Sequence, residues 1–359
     1  MRPNVLGLAP YDAKDIPCRV KLDANENPYA RPLSSRLLGG IKVNRYPDPQ
    51  AANLRREFAR LMLPPSIAEK EKDGASLVLH GNGSDELILN LICTFGGPVV
   101  YPAPTFSMYG KIAQALGVKS VGVPLGRGFE IDEARILRTI RAEKAKLVFI
   151  SRPNNPTGNS FSEEKILRII GKSGCIVVVD EAYQPFSDKK SFLVHLDRRK
   201  NPNLAVLMTL SKVGFAGLRV GFLVAGPEII TQVNKVRLPF NLNSLSQAVA
   251  VDALRKRKPG RLESGIRKVV SERGRVFAAL SGMKGVAPCP SDANFILFEV
   301  FSSSMDAGTL WRGALRKGIL LRADFGPGME GFLRVTIGTR AENNAFIEFM
   351  RKATGDLKK

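Results

Sequence analysis

The chain has 359 residues, of which 44% are hydrophobic and 24% charged. At about 150 residues per domain this length suggests two domains. No stretch reaches the roughly 18 consecutive apolar residues of a membrane span, and the first residues lack the basic and then apolar pattern of a secretory signal. The 33 glycines and 23 prolines are spread along the chain, which excludes collagen-like and low-complexity proteins.

The four cysteines lie far apart in the sequence, at Cys18, Cys93, Cys175 and Cys289. Their spacing matches neither the paired cysteines of zinc sites nor a disulfide framework. We therefore expect no metal, and a reducing cytoplasm is the simplest location.

The chain is strongly basic, with 54 Lys and Arg against 33 Asp and Glu and a formal net charge of +21. Such a field attracts polyanions, so a nucleic-acid-binding protein without catalysis is one hypothesis. The densest basic cluster, residues 255–261, is typical of a solvated helix end and turn. No nucleic-acid motif accompanies it, so we expect nucleic acid not to be a partner.

Short apolar runs alternate with helical patterns in the first two thirds of the chain. The runs begin at Ser76, Lys146, Cys175, Ala205 and Arg219. Between two of them, residues 162–174 repeat isoleucines at helical spacing behind a Ser162 cap. This order predicts an α/β protein with a mainly parallel sheet between helices.

From about residue 243 the pattern changes to that of a smaller α+β domain. Two long helical patterns precede ANFILFEV, a helix around Trp311, then GILLR, FLRVTIG and a last helix. We therefore predict a large domain over residues 41–242 and a small domain over 243–359. Residues 1–40 are expected to pack with the small domain.

The turns that follow the apolar runs carry the chemistry, because ligands bind at the carboxyl ends of strands in open α/β sheets. After SLVLH come Gly81-Asn82-Gly83-Ser84-Asp85-Glu86 and a helical pattern. Backbone N–H groups at a helix N-terminus can bind phosphate, although the same residues can also form a simple capped turn.

Three further strand ends carry polar residues. Asp180 ends CIVVVD, where a buried carboxylate requires a cationic partner such as a protonated pyridine nitrogen or a structural arginine. Lys212 follows AVLMTL in a loop of small residues, where its amine can become nucleophilic or remain merely solvated. The turn at residues 151–158 adds the Asn155 amide. Together they match what pyridoxal phosphate needs: a Schiff-base lysine, an acid at the ring nitrogen, a phosphate cradle and donors to the ring oxygen.

The sequence resembles the class I and II pyridoxal-phosphate aminotransferases over nearly its whole length, and among them the histidinol-phosphate aminotransferases. The motifs that carry the resemblance occur in the shared order: PYDAK, KLDANENPY, RYPDP, GNGSDELI, YPAPTFSMYG, PNNPTG, DEAY, TLSK, GLRVG and LRVTIGT. The resemblance implies a fold type I transferase, with a large cofactor-binding domain and a smaller α+β domain. One departure is Ser151-Arg152 at the start of the asparagine-proline-asparagine-asparagine motif, which places a cation near the turn.

The resemblance also implies roles for the chemical residues. Lys212 would form the Schiff base and then shuttle the proton between the substrate α-carbon and the cofactor. Asp180 would keep the pyridine nitrogen protonated. Asn155 and Tyr183 would hydrogen-bond the ring oxygen.

Other residues would hold the cofactor and the substrate. The cofactor phosphate would be bound by residues of two turns, Gly83, Ser84, Asp85, Ser211 and Arg219. Phe106 would stack on the pyridine ring. Tyr46 would reach the phosphate in the neighbouring subunit, which implies a homodimer with shared sites. The substrate anions would be bound by Tyr11, Arg322 and Arg334.

The resemblance thus favours transamination between histidinol phosphate and 2-oxoglutarate or glutamate, in histidine biosynthesis. Two alternatives share the fold: an aromatic amino acid aminotransferase and a phosphothreonine decarboxylase. The nucleic-acid-binding hypothesis does not explain why Lys212, Asp180, Asn155 and Tyr183 are all present.

Overall fold

The computed structural model describes residues 3–6, 16–29, 39–68, 74–255, 262–301 and 306–355. Tyr11 and most of the basic cluster at 255–261 lie outside these ranges. The strands are β1 Val20–Leu22, β2 Val78–Asn82, β3 Val99–Ala103, β4 Ser120–Pro124, β5 Leu147–Ser151, β6 Ile176–Asp180, β7 Leu204–Thr209, β8 Val220–Ala225, β9 Val286–Pro288, β10 Phe295–Val300, β11 Ile319–Leu321 and β12 Phe332–Thr336.

The helices alternate with these strands. They are α1 Pro3–Leu6, α2 Ala52–Met62, α3 Pro65–Ala68, α4 Gly83–Phe95, α5 Met108–Leu116, α6 Glu133–Glu143, α7 Glu163–Ser173, α8 Pro227–Asn234, α9 Ser244–Arg255, α10 Leu262–Ser281, α11 Ala307–Arg316 and α12 Arg340–Thr354. Within the described ranges, no helix is both long enough and apolar enough to span a bilayer.

A seven-stranded sheet with the order β2-β8-β7-β6-β5-β3-β4 forms the centre of the fold. Each apolar run predicted to be a strand forms one strand of this sheet, and the mainly parallel α/β class is confirmed. Only β8 runs antiparallel to its neighbours. The carboxyl ends of β2, β5, β6 and β7 therefore share one edge with the start of β8.

Both faces of this sheet are covered by helices, because alternate residues of each strand point to opposite faces. On one face Val148 and Ile150 pack with α2, α6, α7 and α9. On the other face Leu147 and Phe149 pack with α4, α5 and α8. Each of these buried side chains stabilises the fold by about 1.5–3 kcal/mol relative to exposure. Ser162 caps α7 as predicted, its hydroxyl accepting a hydrogen bond from the Lys165 N–H.

A second core forms around two smaller sheets. The three-stranded sheet has the order β12-β10-β9, and β1 pairs in parallel with β11. The side chains of β1, Val20 and Leu22, are buried in this core with Phe298 of β10 and Phe346 of α12. The N-terminal strand thus packs on the C-terminal part of the chain. The division of the chain at residues 40 and 242 stays a prediction, and α9, which follows residue 242, packs on the seven-stranded sheet.

Candidate active site

The turn after β2 forms a cradle with the start of β8. The Gly83 N–H donates to the Arg219 carbonyl at 2.8 Å, which joins the two strand ends. Gly83 has a φ of 78°, and a Cβ there would lie 2.5 Å from the Arg219 guanidinium, so the close approach requires glycine. Because α4 begins at Gly83, N–H groups of its first turn have no acceptor within the helix.

Arg219 connects this cradle to the turn that carries Lys212. Its guanidinium donates to Asp85 at 3.1 Å and to the Ser211 hydroxyl at 3.4 Å. The side chain of Arg219 is 47% exposed, so the guanidinium also faces solvent. The predicted phosphate-binding residues therefore lie together, and their combination of helix N-terminus, hydroxyl and guanidinium suits a phosphate.

Lys212 follows β7 in a short 3₁₀ turn, next to the turn after β6. Its Nζ donates to the Ala24 carbonyl at 3.4 Å and lies 5.7 Å from the centre of the Tyr183 ring. That ring is 5% exposed and packs edge-on against Phe295 at 5.1 Å. The amine and the phenol are thus neighbours at the edge of the sheet.

The Asp180 carboxylate lies at the end of β6 and is 3% exposed. It accepts hydrogen bonds from the Tyr109 hydroxyl at 2.7 Å and from the Ala182 N–H at 3.0 Å. Burial raises the pKa of Asp180, and the hydrogen bond from Tyr109 opposes that rise. Burial and the nearby Asp180 raise the pKa of Tyr109 well above its usual value, so the phenol stays a proton donor.

The two predicted anion-binding arginines lie opposite each other. Arg322 and Arg334 exchange backbone hydrogen bonds of 3.0 and 2.9 Å, so their side chains start from paired positions. The Arg334 guanidinium donates to Asn155 Oδ1 and to the Asp23 carbonyl, the latter at 2.7 Å. It also lies 5.0 Å from the centre of the Phe295 ring. Asn155, predicted to bind the cofactor, therefore contacts the predicted substrate arginine.

Phe106 and Tyr46 occupy different surroundings. The Phe106 ring follows β3 and meets Tyr109 edge-on at 5.6 Å, which places it beside the partner of Asp180. Tyr46 is 82% exposed and stacks on Phe240 at 4.6 Å. The structure does not test the predicted role of Tyr11, which lies outside the described residues.

Sequence reasoning missed two features of the site. Tyr109 stood in the quoted YPAPTFSMYG motif, but nothing in its spacing indicated a contact with Asp180. The segment Asp23–Asn25 stood in KLDANENPY without a role, yet it contacts Lys212, Tyr183 and Arg334. Its only signal was the quoted motif itself.

The Arg152 cation noted in the sequence is buried beneath the site, with 3% exposure. Its guanidinium donates to the Phe161 and Lys190 carbonyls, each at 3.0 Å, and lies 5.0 Å from the Phe192 ring centre. Its backbone N–H donates to the Asp180 carbonyl at 2.8 Å. Arg152 therefore connects two segments, at residue 161 and at residues 190–192, to the strand end that carries Asp180.

Glu181 follows Asp180 and holds the same 190–192 segment from the other side. Its carboxylate accepts from the Ser191 hydroxyl at 2.5 Å and from the Phe192 N–H at 2.6 Å. Burial raises the pKa of Glu181 from 4.5 to about 7, although these hydrogen bonds and the charge of Arg152 act in the opposite direction.

Comparison with known proteins agrees with this geometry. The chain is 39% identical to "Histidinol-phosphate aminotransferase 2" of Nitrosococcus oceani, over 98% of this chain and 96% of that protein. It is also 39% identical to a histidinol-phosphate aminotransferase of Aquifex aeolicus, over 98% of this chain and 97% of that protein.

Solved structures share the fold. That of a Sinorhizobium meliloti histidinol-phosphate aminotransferase in complex with pyridoxal-5'-phosphate matches with a TM-score of 0.84 and 21% identity. The match covers 100% of this chain and 98% of the Sinorhizobium meliloti chain. The family model "Aminotransferase class I and II" matches residues 6–350. The chain therefore belongs to the class I and II aminotransferases.

Proposed function

We propose that this enzyme uses pyridoxal phosphate to transfer the amino group between histidinol phosphate and 2-oxoglutarate, in histidine biosynthesis. The observation that carries the proposal is the meeting of Lys212, Asp180 and the Gly83–Arg219 cradle at one edge of the sheet. The similarity to curated histidinol-phosphate aminotransferases along almost the whole chain supports the substrate. Four cysteines with free thiols support a reducing cytoplasm as the location.

The residues present fit pyridoxal phosphate. Gly83, where a Cβ would meet Arg219 at 2.5 Å, brings the helix N-terminus and the guanidinium together for the phosphate. Asp180 is a buried carboxylate suited to a protonated ring nitrogen. When bound, the cofactor supplies a ring that stabilises negative charge at the substrate α-carbon.

The side chains of this chain would then divide the remaining work. Asp180 would accept a hydrogen bond from the ring nitrogen and keep a proton there. Lys212 would hold the cofactor through its amine and would move a proton at the substrate α-carbon. Tyr183 and Asn155 would donate to the ring oxygen, and Phe106 would pack on the ring face.

The substrate side is built around Arg334 and Arg322. A guanidinium binds a carboxylate or a phosphate through paired N–H donors, so one pair of arginines can serve both half-reactions. Arg334 is 6% exposed, and its attraction for an anion is little screened by water.

The first test is the visible spectrum of the protein loaded with pyridoxal phosphate. Histidinol phosphate should bleach the cofactor band at a concentration at least about 30-fold lower than histidinol, because truncating one partner of a buried charge pair costs about 2–5 kcal/mol. Addition of 2-oxoglutarate should restore the band.

Each alternative gives a different outcome in this test. Bleaching by phenylalanine at lower concentration than by histidinol phosphate would move the enzyme to aromatic substrates. A decarboxylase would release carbon dioxide from phosphothreonine. It would show no bleaching of the band that 2-oxoglutarate reverses. A protein that gives no band with the cofactor would contradict the proposal.

We further propose a homodimer with shared sites, in which Tyr46 reaches the cofactor phosphate of the partner. Tyr46 and Phe240 form an exposed stacked aromatic pair, and Leu238, two positions before Phe240 in the chain, is 70% exposed. Exposed apolar groups that lie together in this way mark interaction surfaces. Burial of this pair at a subunit interface would remove it from water and would place the Tyr46 hydroxyl beside the cofactor phosphate of the partner.

Mixing two defective variants tests the shared site. The Lys212→Ala variant and the Tyr46→Ala variant should each be inactive at limiting cofactor. After subunit exchange, a heterodimer has one site with both defects and one intact site, so the mixture should recover about a quarter of wild-type activity. The control mixes Lys212→Ala with Asp180→Ala: both residues belong to the site of one subunit, so the heterodimer has no intact site and activity should not return. No recovery together with a monomer mass in sedimentation equilibrium would contradict the shared site.

A further inference from the structure

Asn25 is buried, with 1% exposure, and its φ of 54° lies in the left-handed region that asparagine tolerates better than most residues. Three of its groups are bound by the C-terminal part of the chain. Its N–H donates to Thr336 Oγ1 at 2.9 Å, its carbonyl accepts from Asn294 at 3.0 Å, and its Oδ1 accepts from the Thr336 hydroxyl at 3.0 Å.

The fourth group of Asn25 reaches the active site. Its Nδ2 donates to the Tyr183 hydroxyl oxygen at 3.0 Å. The orientation of the amide follows from the network, because the Thr336 hydroxyl carries one proton and its donation requires Oδ1 on that side. The amide therefore presents a donor, and not an acceptor, to Tyr183.

This polarity determines what the Tyr183 hydroxyl can do. Its oxygen accepts from Asn25, so its own proton is directed to a different acceptor. A hydroxyl that accepts a hydrogen bond is also a stronger donor, because linked hydrogen bonds polarise one another. Ala24, the neighbour of Asn25, accepts from Lys212, so the same segment positions the amine.

We propose that Asn25 is a positioning residue that acts through Tyr183: its amide directs the phenolic proton toward the ring oxygen of the cofactor. This role rests on the proposed function. It also couples the site to β12, because Thr336 fixes the direction of the Asn25 amide.

The sharpest test is Asn25→Asp. Aspartate keeps the size, the tolerance for a left-handed φ and an acceptor for Thr336, but it presents an oxygen to Tyr183 and reverses that hydrogen bond. The ring oxygen then loses its donor and holds the proton of the Lys212–cofactor linkage more tightly. The pH midpoint of the visible band of the loaded enzyme should rise by about 1–2 units.

Two variants separate this role from charge and from folding. Asn27→Asp makes the same change at a second buried asparagine of this segment, whose Oδ1 accepts from the Tyr29 N–H. The pH midpoint of the Asn27→Asp enzyme should stay at the wild-type value. Tyr183→Phe should raise the midpoint by itself, and Asn25→Asp should add little to it. Thr336→Val removes the hydroxyl that fixes the direction of the Asn25 amide, so the midpoint should rise by less than in Asn25→Asp. This variant replaces Asn25→Asp as the test if Asn25→Asp does not fold.

The outcomes distinguish this role from the proposed function. A wild-type midpoint in both Asn25→Asp and Thr336→Val, with a shifted midpoint in Tyr183→Phe, would overturn the role of Asn25 and leave the proposed function standing. Equal shifts in Asn25→Asp and Asn27→Asp would also overturn it. An unshifted Tyr183→Phe would remove the role of Tyr183 and that of Asn25 together.

Discussion

Replacing Lys212 with alanine is expected to lower turnover of histidinol phosphate by at least about 10³-fold, because in the proposed function one amine would supply both the covalent link to the cofactor and the proton transfer. The fold should remain intact, since Lys212 lies in a turn and the hydrogen bond from its Nζ to the Ala24 carbonyl is long at 3.4 Å. Single-turnover kinetics and the far-UV circular dichroism spectrum check the two expectations.

Lys172→Ala provides the matched control for Lys212→Ala. Lys172 is an exposed lysine in the last turn of α7, near the start of β6 and away from the carboxyl ends of the strands. Its replacement should leave turnover unchanged. A Lys212→Ala enzyme with near-normal turnover would contradict the assignment of this lysine, whatever the substrate proves to be.

Arg152→Met should destabilise the protein by about 3–5 kcal/mol, because two charge-assisted hydrogen bonds to carbonyls are lost in a buried site. Methionine retains much of the side-chain length beside the Phe192 ring, so the loss reports mainly on the guanidinium. Urea unfolding followed by fluorescence of Trp311 and circular dichroism measures the free energy of unfolding. Arg138→Met, an exposed arginine on α6, should change it by less than about 0.5 kcal/mol.

The deficit of Arg152→Met should depend on pH through Glu181. The pKa of Glu181 is about 7 in the folded protein and 4.5 is its usual value, so the folded state binds the extra proton. Its contribution to stability is present below about pH 4.5 and is lost as pH rises through 7. Without the Arg152 charge the folded pKa rises further, so the deficit should be larger at pH 8 than at pH 5.

Glu181→Gln identifies the carboxyl that causes this pH dependence. The amide can accept from the Phe192 N–H and donate to the Ser191 oxygen, so it replaces both hydrogen bonds without a charge. In the double variant with Arg152→Met, the deficit should be the same at pH 5 and pH 8. A deficit that still grows with pH would assign the effect to another group.

Local pattern was sufficient to predict the sheet and the residues along its edge. The apolar runs are buried on both faces, so their composition alone indicated strands of a sheet covered on both sides. Polar residues at the carboxyl ends of parallel strands must share an edge. For this reason Asp180, Lys212 and the Gly83 turn could be grouped from the sequence. Tyr46 and Tyr11 had no such constraint, and their roles stay predictions.

Contacts between distant segments could not be predicted from local pattern. Asn25 and Tyr183 are 158 positions apart, and Asn25 and Thr336 are 311 apart. Hydrophobic periodicity identifies the face that an element buries, but it does not identify which polar side chains meet between two cores. For the same reason the contact of Tyr109 with Asp180 could not be predicted. Arg152 was predicted only as a cation near a turn, whereas it is buried and connects three segments of the chain.

The antiparallel insertion of β8 between β2 and β7 has a consequence for synthesis of the protein. Arg219 completes the cradle that begins 134 positions earlier, at Asp85, and β2 is an edge strand whose neighbour in the sheet is β8. At about 5–20 residues per second, a ribosome needs on the order of ten seconds to make the chain between them. During that interval the apolar β2 segment has emerged from the ribosome, but β8, with which it pairs, has not been made. The backbone groups of β2 must therefore be kept from pairing with other chains until β8 is available.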